Sequence, residues 1–286
     1  MKLLKKIAFA AAIAMSFAGT ASASTEVLTD WHFSPNGTGI ANSEQVNEYL
    51  DITGNGFIQL STVGAPAGTF NFMEHGVFTL PFADNSGVQF ASSFAGGNIS
   101  IMFEASGTGT FNGEFQFGGG TIKMYQNPTN NQYGTAVGIY GANQGNLIAN
   151  FNVYGGGGKV DGTGAPLGNG DVSVFAKADF LKAGYFFNPN GTSMVSQDIF
   201  SFAFTGANGV SNPRATLVSE LVCQFSAYAG PGCGGGVYSN VPGNHFIVSN
   251  SGSFKLATEV PEPGSLALFG LAILGAGFAS RKRKQA

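Results

Sequence analysis

The sequence predicts an all-β fold, a Gly/Phe-rich antiparallel β-sandwich or barrel-like body, and three observations carry the prediction. Apolar and polar residues alternate over short runs, as in TFNFMEHGVFTLPF, where Phe70, Phe72, Phe78 and Leu80 recur at two-residue spacing within each half. Turn-forming Gly, Asn and Pro punctuate such runs every ~8–15 residues, enough for roughly ten to twelve strands. No run of about ten residues carries a capped helical period, which disfavours α/β winding.

The 44 glycines follow no fixed period, which excludes collagen and solenoid repeats. The 27 phenylalanines are expected to form the core, where each buried ring is worth about 2–3 kcal/mol. Phe has no polar handle, and Trp31 is the one tryptophan, so the pattern favours core packing over a sugar-stacking platform. So many strands and glycines also leave exposed edges that could pair between chains.

In chain order, residues 1–23 combine a basic start (Lys2, Lys5, Lys6), an apolar stretch over 7–17 and the ending Ala21-Ser22-Ala23. This is the pattern of a secretory signal peptide, cleaved between Ala23 and Ser24. After Trp31 comes a turn at Pro35-Asn36-Gly37, and 44–49 is the stretch that could hold a helical turn. Asn112-Gly113, between Phe111 and Phe115, is a two-residue hairpin signal. Further strands are expected in VQFASSF, NISIMFEAS, TIKMYQ, AVGIYG, NLIANFNVYG, DVSVFAKADFLKAGYFF, QDIFSFAFTGANG, RATLVSELVCQFSAY and HFIVSNSGSFKLATEV. The intended boundaries are 1–23 for the signal peptide, 24–258 for the exported β domain and 259–286 for a C-terminal segment.

Charge narrows the partners. Of 13 basic residues, three lie in the leader and four in the C-terminal cluster, leaving six against 16 acids, a net charge of −10 for the stretch between leader and basic cluster. Such a surface repels nucleic acid and anionic membranes. In an exported chain, Cys223 and Cys233, around a Gly/Pro-rich stretch, read most simply as one disulfide closing a surface loop.

Chemistry-bearing patterns are sparse. His32, His75 and His245 have no metal-ligand spacing, and no Gly-x-Ser-x-Gly elbow occurs. The run at 155–159 lacks the spacing and the Ser or Thr of a phosphate loop, so it reads as a glycine hinge. Asp51-Ile52-Thr53-Gly54-Asn55-Gly56 imitates half of a calcium loop, but position twelve is Thr62, and a turn is the simpler reading. A hydrolase would need two facing carboxylates, and nothing in sequence pairs Glu74, Glu104 or Glu114. No catalytic residue, metal or cofactor is assigned.

The C-terminal segment is the most specific part of the chain. Pro261-Glu262-Pro263 precedes an apolar run containing Leu266, Leu268, Phe269, Leu271, Ile273, Leu274 and Phe278, and Arg281, Lys282, Arg283 and Lys284 follow. As a helix the run is about 25 Å long, a minimal membrane span, with the cations as a stop. The three parts in this order resemble the PEP-CTERM sorting signal of Gram-negative bacteria that make extracellular polysaccharide. That resemblance implies processing by exosortase, a membrane-embedded transpeptidase-like enzyme. Pro261, Glu262 and Pro263 would then serve recognition, the apolar run transient membrane insertion, and the basic cluster orientation. The Phe/Gly-rich body looks like flocculation-associated members of that group. It implies a non-enzymatic surface or matrix protein supporting flocculation or biofilm with exopolysaccharide, and capable of self-association. The alternatives are a lectin-like glycan-binding module and, behind it, a secreted polysaccharide hydrolase.

Overall fold

Eight antiparallel strands close into a barrel because the last strand returns to the first strand of the barrel. A computed structural model describes residues 24–84, 98–127, 133–134, 138–167 and 170–260. It divides into two compact units, Val27–Thr258 and the chain ends Met1–Glu26 with Glu259–Ala286. The first unit is the body. Of the second only 24–26 and 259–260 are described, as the outer parts of β1 (Ser24–Val27) and β12 (His245–Val260).

The barrel strands are β4 (Tyr49–Ser61), β5 (Thr69–Thr79), β6 (Ile99–Thr110), β7 (Glu114–Gln126), β8 (Asn146–Lys159), β9 (Gly170–Leu181), β11 (Ile199–Gly209) and β12. They pair in the order β4-β5-β6-β7-β8-β9-β11-β12. Closure comes from β12 against β4, from His245↔Gln59 to Lys255↔Tyr49. Within the closed barrel the eight strands leave no free edge, so any edge pairing between chains is confined to strands outside the barrel. Between sandwich and barrel, the structure decides for the barrel.

Alternation sorts the side chains. On β5, Phe70, Phe72, Glu74 and Phe78 line the interior, and on β12 Phe246, Val248, Asn250 and Phe254 do. Rings need facing gaps, and glycine provides them: a Cβ on Gly109 would lie 2.3 Å from the ring of Phe70. Register shifts at Ser106/Gly107, Met124/Tyr125 and Val153/Gly155 bend the strands as closure requires. The Asn112-Gly113 turn joins β6 to β7, with Asn112 at φ 57°. A second sheet of β10 (Phe186–Phe187), β2 (Trp31–Phe33) and β3 (Glu44–Val46) adds Trp31, Phe33, Val46 and Phe186 to the barrel's core.

Several expectations are corrected. Residues 44–46 are strand, 47–48 a bend and 49 the start of β4, so no helical turn forms there. The calcium-loop look-alike runs straight through β4, where Asp51, Thr53 and Asn55 share one face in an extended row about 7 Å apart and do not curl around a common point. The glycines at 155–159 belong to β8, not to a hinge. RATLVSELVCQFSAY is not a strand. It forms the short helix α1 (Ala215–Leu217) running into a π-helix, Val218–Phe225. AVGIYG is turn where it is described, over 138–141, and VQFASSF lies outside the described residues.

The C-terminal membrane helix is also corrected. Among the described residues no helix is long and apolar enough to cross a membrane. The two helical pieces have three and eight residues, far short of the ~20 that a bilayer core requires. The apolar run from Leu266 to Phe278 lies outside the described residues. The described residues thus supply no spanning helix, and insertion through one is not carried further.

Candidate functional surface

The barrel wall has two contrasting outer faces. On one, β4, β5 and β12 turn Phe57, Val77 and Ile247 outward, yet all three are fully buried. The helix of 215–225 covers them with Leu217, Val218, Leu221 and Val222, and the loop after it adds Tyr238; together they form a second core. Tyr133 donates to the Val77 carbonyl (2.7 Å), and the Tyr140 N–H donates to the Glu220 carboxylate. The covering segment is also stapled: Cys223 and Cys233 form a disulfide with Cα atoms 5.3 Å apart.

The histidines belong to this architecture. His75 sits between Phe225, 4.8 Å between ring centroids, and Glu104, at 3.4 Å. Burial lowers its pKa, and the Glu104 charge opposes that in part. His245 contacts the Tyr228 hydroxyl at 3.1 Å, and burial lowers its pKa too. His32 lies 3.3 Å from the Ser43 hydroxyl. These contacts orient packing groups. Among the described residues no group of three or more His, Cys, Asp or Glu could hold a metal ion.

The opposite face, on β8, β9 and β11, has no such cover among the described residues. Tyr154, Phe175, Phe200, Phe202 and Phe204 point outward, with Tyr154 53% and Phe204 47% exposed. The rings touch across strands: Phe175 and Phe202 are direct register partners with centroids 5.5 Å apart, and Tyr154 lies 6.3 Å from Phe200. Lys177 sits over Phe200 and pairs with Asp198 at 2.8 Å. Sequence reasoning placed all such phenylalanines in the core. Contiguous exposed apolar surface of this kind marks an interaction site.

Inside the barrel, Glu74 is the buried exception. Its carboxyl is flanked by cavities of about 30 and 40 Å³, which share Glu74, Val172 and Asn250 and are otherwise lined mainly by apolar side chains. Burial alone pushes its pKa up to about 7. The Asn250 Oδ1 beside it is buried without a hydrogen-bond partner among the described residues.

Fold and faces define a small closed antiparallel barrel with one aromatic wall, fully formed before the chain reaches its C-terminal segment. That segment matches the PEP-CTERM protein-sorting motif over residues 259–284, starting as β12 ends. The chain thus carries an exosortase-associated sorting motif and is an exported, exosortase-linked protein. The motif is a non-catalytic tag. No curated protein and no solved structure matches the chain. Pro261, Glu262, Pro263, Arg281, Lys282, Arg283 and Lys284 lie in the matched stretch but outside the described residues, as do Ala21 and Ala23 of the cleavage site. Ser24 is the first residue of β1.

Proposed function

We propose that this chain is a non-enzymatic protein of the envelope or extracellular matrix of a Gram-negative bacterium, sorted by exosortase and supporting flocculation or biofilm formation with exopolysaccharide. Residues 1–23 direct export, Pro261, Glu262 and Pro263 are the exosortase recognition residues, and the barrel is the displayed cargo. The supporting observation is the uncovered aromatic wall of Tyr154, Phe175, Phe200, Phe202 and Phe204. A closed barrel wall adheres through side chains, and this wall groups five aromatic ones in one place. Deleting 259–286 should lower floc formation and the retention of polysaccharide together. Undiminished flocculation in the deletion strain would remove the matrix role and leave the sorting motif untouched.

A further inference from the structure

Next to the aromatic wall the barrel opens. β7 and β8 are in register up to Gln116↔Gly157 and again from Gly120↔Val153, but 117–119 and 154–156 face each other without ladder partners. Both strands are irregular at this level, since the β6–β7 register jumps past Gly118 and the β8–β9 register past Tyr154. Above the opening lies a groove of about 830 Å³, within the range of small-molecule sites. Phe115 and Phe117, which belong to the barrel core, line it as well. Tyr154 and Phe175 stand along it, their rings 6.5 Å apart, with Glu114, Gln116, Lys159 and Ser173 as donors and acceptors.

The glycines of this groove are of two kinds. At Gly157 a Cβ would lie 2.1 Å from the Phe115 carbonyl oxygen, and Gly156 has φ +113°, so packing and backbone demand glycine there. Gly155 is different. Its φ is unremarkable, and an added Cβ would meet only Phe175, at an ordinary 3.8 Å. Folding does not require glycine at 155. What its missing side chain does is keep the groove empty.

We infer that this groove binds a run of neutral pyranose units from a polysaccharide chain. The inference rests on the matrix reading above and names the contact that reading lacks. The axial C–H face of a pyranose is apolar and fits against the exposed ring of Tyr154 and the ring of Phe175, while its equatorial hydroxyls demand both donors and acceptors. Gln116 offers both, Glu114 accepts, Lys159 donates, and the Ser173 hydroxyl, which already donates to the Gly157 carbonyl at 3.2 Å, accepts. Glu114 faces Lys159 across the ladder, so the groove has no net charge for a polyanion to seek, and the net negative charge of the body disfavours one further. A hydrolase reading gains nothing here: Glu114 is the one carboxylate among the described lining residues, and cleavage needs two.

The test is calorimetric titration of the full-length protein with cellohexaose, mannohexaose and xylohexaose, and with polygalacturonate as the anionic probe. At least one neutral hexasaccharide should bind saturably, with polygalacturonate weaker. Tyr154→Ala and Gly155→Leu should each weaken binding about tenfold or more, with unchanged melting temperature, and Phe204→Ala should not. Absence of binding to all three neutral probes, preference for polygalacturonate, or indifference to both groove variants would overturn the assignment. Loss of flocculation on tail deletion with no hexasaccharide binding sinks the groove alone. Binding that persists while tail deletion leaves flocculation intact sinks the matrix role alone.

Discussion

The two outer walls of the barrel are built from the same strand chemistry and end in opposite states. Phe57 on β4 and Phe204 on β11 both point away from the barrel axis; Phe57 is fully buried and Phe204 is about half exposed. The difference lies in what the chain places over them. After β11 it turns into the helix of 215–225 and a disulfide-closed loop, and both pack on β4, β5 and β12. Nothing described covers β8, β9 and β11. An outward aromatic is therefore core or contact surface depending on a segment far away in sequence.

Truncating the covered ring should produce the largest effect. Phe57 touches Tyr228, Tyr238 and His245 with centroids 5.6–6.1 Å away, and it lies in the second core with Tyr238. Phe57→Ala should therefore lower unfolding free energy by about 3–5 kcal/mol in urea titrations. A loss below about 1 kcal/mol would mean that the covering segment is loosely attached and that the walls do not differ as described.

The interior supplies a pH-dependent effect of intermediate size. Glu74 has a folded pKa of about 7 against 4.5 for the free group. As pH rises from 4.5 to 7 the unfolded chain releases this proton while the folded barrel keeps it, so stability falls through that window, and the full penalty is present above 7. The penalty is about 3 kcal/mol. Glu74→Gln should match the parent near pH 4 and exceed its stability by about that amount at pH 8. A gap that stays constant between those pH values would show that the carboxyl reaches water.

Much of the barrel was legible in the sequence, because strand alternation and the Asn112-Gly113 hairpin are local signals. HFIVSNSGSFKLATEV is β12 residue for residue. Closure was not legible, since β12 pairs with β4 nearly the whole body away and no local feature records it. The helix at 215–225 was hidden by its β-branched valines and by an Arg214 N-cap with no side-chain hydrogen bond. The outward phenylalanines were hidden more deeply. On β11, Phe200, Phe202 and Phe204 alternate with Ser201, Ala203 and Thr205, and hydrophobicity alone turns the rings inward. The lumen has no room for them: Phe78, Phe103, Phe117 and Phe254 from other strands already surround Ala203 and Thr205. Volume set the sidedness of β11, and volume is a property of the closed barrel, not of one strand.

The smallest effect is expected on the bare wall. Phe204 lies at the exposed edge of the aromatic set, and its register partners, Ser173 on β9 and Ser253 on β12, are small and polar. Phe204→Ser should change unfolding free energy by no more than about 0.5 kcal/mol, the range for surface sites that lack packing partners. The same variant should reduce binding of an apolar dye to the folded protein, because it removes exposed ring area and leaves the covered wall intact. A loss of 2 kcal/mol or more, on the scale of a buried ring, would show that something shields this wall after all, and its aromatics would then be a third core instead of a contact surface.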